Sequence, residues 1–295
     1  MNNELILIGA NNINDHYNIY VINEGNIMKG WENSEKVVSD EELDHELHHL
    51  QGFFWTSMDN EGKEWTRNFH ELRQRDLTLF SLGEVKGKKI IDIGCFKAEY
   101  LLTIAKMGAE YVGGQDLDED DVKKGRLKLS KENIEGKLVA GDAVKLDFPD
   151  NFFDIAFSCD VFEHISLEVK EKVISEVYRV LKPGGTFVIK TPNLSYLKIS
   201  IFLRRILNLV MLKSPFVHIA HTNNNPDNQH HGLTTYSELE NLLENNFFHT
   251  PEITFVPLIR KRLPKFVTKL LYGKKSFTEE IIISTRKSIF VGMWE

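Results

Sequence analysis

The residues whose types and spacing point most directly to chemistry are Asp92, Gly94, Phe96 and Asp116. A turn that cradles pyrophosphate has the pattern G-x-G-x-x-G, because its second glycine lets phosphate approach the backbone. Here Phe96 occupies that second position, and the Asp92 carboxylate would repel a phosphate. A ligand carrying an ammonium or sulfonium charge suits such a turn better. Asp116 follows about 20 residues beyond the glycine, where an acidic side chain can bond ribose hydroxyls.

A second constellation is His45, Glu46 and His49, which spell H-E-x-x-H, with Gly52 following at the offset seen in one class of zinc protease. Two histidines on one helical face bind the metal in such enzymes and the glutamate acts as base. Trp55 stands where the third histidine would fall, and Glu71 is the third ligand that remains to propose. Histidines on an acidic helix more often lie on its surface. The zinc-protease reading is therefore a remote alternative, and no metal is expected.

The elements that must position these residues can be read from hydrophobic pattern. Ile90, Ile91 and Ile93 form a short buried strand, Gly94–Ala98 a turn, and Tyr100, Leu101, Ile104 and Ala105 the apolar face of a helix. The unit repeats. Residues 109–117 give a second strand, 119–130 a helix, and 137–140 a third strand ending at Gly141–Asp142. Residues 153–158 give a fourth strand, followed by a loop with Asp160, Glu163 and His164, and residues 167–181 a helix stopped by Pro183-Gly184-Gly185. TFVIKT is the fifth strand. Alternating strands and helices of this kind build a parallel sheet. Ahead of it, ELILIG and HYNIYVIN read as a small β unit, and a helix capped by Ser39 or Asp40 follows.

With 295 residues and 42% hydrophobic content, the chain can bury a core. Its two cysteines, Cys95 and Cys159, give neither a disulfide framework nor metal-ligand spacing. The first residues make a poor signal peptide, and no run reaches the ~18 apolar residues of a membrane span, so a cytoplasmic protein is expected. The net charge of −7 argues against wrapping nucleic acid. No acidic residue lies between Glu176 and Asp227 or between Glu252 and Glu279, so the carboxyl-terminal third is basic. That stretch is either a solvated face or a surface for anions. Ile199, Phe202, Leu203, Ile206, Leu207 and Val210 recur at helical spacing, which predicts a helix over residues 196–213 packed on the domain. Ile201, Leu209, Met211 and Leu212 lie off that stripe, where they could cover an acceptor or touch a membrane surface.

A cationic ligand with a ribose points to S-adenosylmethionine, and residues 88–193 resemble the class I S-adenosylmethionine-dependent methyltransferases. IIDIGCFKA resembles the family's D-x-G-x-G-x-G motif, YVGGQDLD its acidic second-strand end and AGDA its third-strand motif. FFDIAFSCDVFEHI and EVYRVLKPGGTFVIKTPN resemble its fourth and fifth strands, and QHHGLTTYSELENLLENNFF the approach to its sixth strand in the ubiquinone- and glycan-methylating branches. Phe96 and Ala98 depart from the motif by replacing its second and third glycines.

The resemblance implies an α/β Rossmann-like, seven-stranded, mostly parallel sheet with helices on both faces and an antiparallel last strand near Ile281–Ser284. It divides the chain into a small α+β appendage, residues 1–63, and a methyltransferase domain, residues 64–295, with a helical insert at about 195–230. Asp92 and Gly94 would hold the methionine end, Asp116 the ribose and Asp142 the adenine amino group, with Cys95, Phe96, Ala98, Leu117, Ala143, Cys159 and Asp160 completing the pocket. Methyl transfer needs an acceptor aligned with the methyl group and, for a hydroxyl, a base. His164 is the first candidate base, with Glu163 and Asp160 beside it, and His231 the second. The expected activity is O-methylation of a sugar, glycan or other small hydroxyl acceptor, with or without phosphate, and self-association and peripheral membrane contact are further expectations. A non-catalytic binding subunit built on the same fold is the alternative.

Overall fold

The computed structural model describes residues 5–10, 17–23, 26–30, 36–38, 56–58, 64–66, 78–79, 81–212, 214, 230–255, 274–278 and 280–288. The chain divides into two compact units, Met1–Phe80 and Ser81–Glu295. The first contains an antiparallel sheet of β1 (Leu5–Ala10), β2 (Tyr17–Asn23), β3 (Asn26–Gly30) and β4 (Lys36–Val38), in that order, and a hairpin of β5 (Thr56–Met58) and β6 (Glu64–Thr66). The two strands expected from ELILIG and HYNIYVIN are β1 and β2, paired from Leu5↔Ile22 to Ala10↔Tyr17. The helix expected from Asp40 lies outside the described residues.

The second unit is built on seven strands: β7 (Lys89–Ile93), β8 (Tyr111–Asp116), β9 (Gly136–Ala140), β10 (Phe153–Cys159), β11 (Leu181–Pro192), β12 (Glu252–Phe255) and β13 (Glu280–Arg286). Their spatial order is β12-β13-β11-β10-β7-β8-β9. The five strands from β9 to β11 run parallel, and β13 lies antiparallel between β11 and β12. The antiparallel strand at Ile281–Ser284 expected by resemblance is thus present. Because β7 sits centrally and the order reverses beside it, the turns after β7, β8 and β10 meet at one end of the sheet, which is where such sheets hold ligands.

Both faces of the sheet are buried, as a parallel sheet requires. Ile91, Ile93, Phe187, Ile189, Ile281 and Ile283 share one cluster with Val173, Ile174 and Val177 of α3 (Leu167–Val180) and Leu239, Leu242 and Leu243 of α5 (Tyr236–Asn245). The alternate residues Ile90, Val188 and Ile282, on the opposite face, are fully buried too. The helices α1 (Glu99–Lys106) and α2 (Glu119–Lys131) pack against β8 and β9. Asp118 caps α2 by accepting from the Asp120 and Asp121 amides, and a capping box of Thr235 and Glu238 starts α5.

Two local expectations are corrected. Pro183-Gly184-Gly185 follows the helix stop, since α3 ends at Val180, but it forms a bulge inside β11: Leu181 pairs with Phe153 and Thr186 with Ile155. The helix α4 (Leu194–Val210) forms, yet its stripe is not packed on the domain: Phe202, Leu203, Ile206 and Val210 are all exposed, as are Leu209, Met211 and Leu212 off it. Among its described residues Tyr196, in the first turn, is buried.

Candidate active site at the carboxyl ends of the central strands

The first functional side chain is set by β7. Asp92 pairs in register with Gly114 and Phe157 on either side, so its carboxylate is drawn into the core at the strand's end. It is 2% exposed, and among the described residues its Oδ1 has no hydrogen-bond partner. Burial, reinforced by the nearby Asp116 charge, pushes its pKa well above the carboxylate range. A buried, unsatisfied carboxylate is costly, and a cation beside it would remove most of that cost.

The turn that follows keeps the backbone of the glycine motif while departing from its residues. Gly94 has φ 82°, and a Cβ there would lie 2.2 Å from a Val161 methyl. Phe96 and Ala98 adopt the left-handed region at φ 45° and 60° without being glycine. Ala98, fully buried, is the residue before α1. Phe96 directs its half-exposed ring to the surface, 4.4 Å from the Lys97 ammonium, and its amide donates to Asp116 Oδ2 at 2.8 Å. The large side chain at the second glycine position therefore leaves the turn open. Cys95 is buried, and burial raises its thiol pKa.

Asp116, at the end of β8, also accepts from the Asp118 amide at 3.0 Å, and Leu117 beside it is exposed. Asp142, after β9, is exposed and accepts from the Val144 amide at 3.1 Å, with Ala143 half-buried next to it. The residue that fastens this loop was missed in the sequence. Gln115, 2% exposed, donates to the Asp142 and Lys145 carbonyls and accepts from the Asp147 amide. A lone glutamine inside an apolar strand was the available signal.

Beyond β10, Cys159 has its pKa raised by burial and by the Asp92 charge, which places it against the same pocket. Asp160 follows at φ 56° and pairs with Lys190, at 2.6 and 2.7 Å, on β11. Burial works against the Lys190 charge, but Asp160, Glu280 and Cys159 together outweigh it and raise the amine's pKa. A 3₁₀ turn, Phe162–His164, then presents the next two candidates. Glu163 is 2% exposed, accepts from Thr191 Oγ1 at 3.0 Å, and has its pKa raised by burial and the Asp160 charge.

His164 meets His230, not the expected His231: the two rings stand edge to face with centroids 4.7 Å apart. His231 is exposed. His231 and Gly232 form a turn whose close docking leaves half-buried His230 on the side of His164. Gly232 docks this loop onto the turn. Its amide donates to the Glu163 carbonyl at 2.8 Å, its own carbonyl accepts from Lys170, and a Cβ there would lie 1.9 Å from the Ile165 carbonyl. Burial lowers the Lys170 pKa to about 8. His45, Glu46, His49 and Glu71 lie outside the described residues, as does most of the basic segment 260–275.

The geometry is thus a buried carboxylate at the start of a left-handed turn, a second carboxylate, Asp116, bound to that turn's Phe96 amide, and a histidine–carboxylate cluster after the fourth parallel strand. Residues 91–189 match the family model described as "Methyltransferase domain". The chain is 32% identical over 139 residues to a sterol 24-C-methyltransferase of Gibberella zeae, covering 42% of this chain and 36% of that one. It is 36% identical over 117 residues to the demethylmenaquinone methyltransferase of Listeria monocytogenes, covering 39% and 48%. The chain therefore spans less than half the length of these curated relatives. Among solved structures, the PH0226 protein of Pyrococcus horikoshii superposes with a TM-score of 0.54 at 17% identity, over 79% of this chain and 96% of that one. A SAM-dependent methyltransferase of Methanosarcina mazei gives 0.51 at 17%, over 72% and 97%. Residues 91–189 thus match a methyltransferase domain, and the seven-stranded sheet around them has the fold of the class I S-adenosylmethionine-dependent methyltransferases.

Proposed function

We propose that the chain transfers the methyl group of S-adenosylmethionine to a small-molecule acceptor. The observation that carries this reading is the buried Asp92 carboxylate with its unpartnered Oδ1 at the mouth of a left-handed turn. Such a site fits a cationic ligand and disfavours a phosphate. When bound, S-adenosylmethionine supplies an activated methyl group for in-line displacement by the acceptor atom. Asp92 offsets the positive charge of the methionine end. Asp116, already oriented by the Phe96 and Asp118 amides, receives the ribose hydroxyls, and exposed Asp142 the adenine amino group. Val161, packed on Gly94, begins the turn that carries Glu163 and His164, which joins the histidine–carboxylate cluster to the turn after β7.

The finer reading is O-methylation. A hydroxyl acceptor needs its proton removed, and His164 and His230, backed by Glu163, are the groups placed to receive it. A sugar or glycan acceptor, with or without phosphate, suits the basic composition of the carboxyl-terminal third. A second reading, carbon methylation, is favoured by the similarity to a sterol 24-C-methyltransferase. Calorimetric titration with S-adenosylhomocysteine tests the cofactor step: wild type binds, and Asp116→Ala binds about 10–100-fold more weakly, as loss of hydrogen bonds to a charged group predicts. Absence of binding by wild type would sink the proposal. Release of S-adenosylhomocysteine across sugars, sugar phosphates, quinones and sterols then decides the acceptor. Binding without turnover on any of them, together with a stable protein partner, would favour the non-catalytic subunit.

A further inference from the structure

We infer that Glu163, His164 and His230 form a binding site for one divalent transition-metal ion of the zinc type, with open positions for an acceptor oxygen. The ligand atoms of these three residues all lie within 4.8 Å of one another. A metal with bonds of about 2.0–2.2 Å to imidazole nitrogen and carboxylate oxygen draws such atoms together by modest side-chain rotation. Two imidazoles and one carboxylate form a donor set for zinc or ferrous iron, not for calcium or magnesium, and leave coordination positions unfilled.

The three residues come from two chain segments that are clamped together. The Gly232 amide bonds the Glu163 carbonyl, Lys170 bonds the Gly232 carbonyl, and Gly232 approaches Ile165 so closely that no larger residue fits. His230, two residues earlier, is thereby held against His164 before any ligand arrives. The Thr191 hydroxyl fixes Glu163 by donating to Oε2, the outer-shell bond that orients a ligating carboxylate. The neighbouring amines are engaged elsewhere: Lys170 on the Gly232 carbonyl and Lys190 on Asp160.

This rests on the acceptor role given above to the same cluster and changes its means: side chains that ligate a metal no longer take the acceptor's proton, and the bound ion would instead lower the hydroxyl's pKa so that solvent water takes it. The metal site itself can be tested without turnover. The untagged full chain, stripped with chelator, is titrated with zinc chloride by calorimetry and with cobalt chloride by visible absorption. One equivalent should bind, with d–d bands typical of a low-coordinate site. Glu163→Gln, His164→Ala and His230→Ala should each weaken binding at least about tenfold, and Thr191→Val about tenfold. His249→Ala, at an exposed position, and the double variant His45→Ala/His49→Ala should bind as wild type. Metal uptake lost in the double variant and kept in His164→Ala and His230→Ala would overturn the assignment, as would no uptake at all. Circular dichroism identifies any variant that fails to fold, and Glu163→Gln, which keeps shape and the Thr191 bond, decides in that case. Titration of the same preparations with S-adenosylhomocysteine separates the two proposals: failure of the metal alone leaves that binding intact.

Discussion

Asp92 holds its position against its own electrostatics. Its folded-state pKa is raised by burial and by Asp116, so the folded protein binds the proton more tightly than the unfolded chain does. The resulting destabilisation is absent below the unfolded carboxylate pKa of about 3.9 and grows to its full value as pH rises through the folded pKa. Asp92→Asn is therefore expected to raise the Tm of the ligand-free protein at pH 7.5, with the gain shrinking toward pH 4. The same variant should bind both S-adenosylhomocysteine and S-adenosylmethionine more weakly, since both keep the ammonium of the methionine end, and the latter by the larger factor because it adds the sulfonium charge. Scanning calorimetry across pH, with paired titrations, checks both. Phe96 makes the opposite point. Its left-handed backbone costs about 1–2 kcal/mol in a non-glycine residue. Phe96→Gly should raise the Tm by about 2–4 °C per kcal/mol recovered.

The elements show where sequence pattern is sufficient and where it fails. The five parallel strands and the helices α1 to α3 were legible, because a continuous apolar run, a turn and a 3.6-residue stripe leave little choice in a βαβ unit, whereas the antiparallel β13 was expected only by resemblance. The Asp92–Gly94 turn and the Asp116 and Asp142 positions were legible for the same reason, since each ends an apolar strand. The partner of His164 was not, because His230 and His231 are told apart only by how Gly232 docks their turn onto the Glu163 segment. The helix α4 failed differently: periodicity reports that a helix has an apolar face, not that another surface covers it. Replacing exposed Leu203, Ile206 and Leu209 by Ser one at a time should change stability by no more than about 0.5 kcal/mol. Replacing buried Tyr196 by Ala should cost about 3–5 kcal/mol, the range for large aromatic truncations in a core. Urea denaturation separates these two outcomes.

At the scale of the whole molecule, all seven strands of the sheet belong to residues 81–295, and the amino-terminal sheet is complete within residues 5–38. Ser81 Oγ bonds Thr254 Oγ1 at 3.0 Å, so the beginning of the second unit is fastened to β12 near its other end. A chain of residues 64–295 is expected to unfold cooperatively and to bind S-adenosylhomocysteine within about threefold of the full protein, a difference below about 0.7 kcal/mol. Turnover lost in that shortened chain, with binding kept, would assign acceptor recognition to residues 1–63. The exposed face of α4 belongs to this scale as well. Its exposed Phe202, Leu203, Ile206, Leu209 and Val210 are accompanied by Lys198, Arg204 and Arg205 on the same helix.

The bond from the Phe96 amide to Asp116 ties the shape of the turn to the ribose end of the pocket. That carboxylate is the anchor of the loop and also the group a ribose would claim, so an arriving ligand and the loop share one pair of oxygens. Amide hydrogen exchange at Phe96 consequently reads the division between them: it slows if the ligand locks the loop around Asp116 and quickens if the ligand takes the oxygen for itself. A single backbone proton thus records occupancy of a site whose other end is some twenty residues away along the chain.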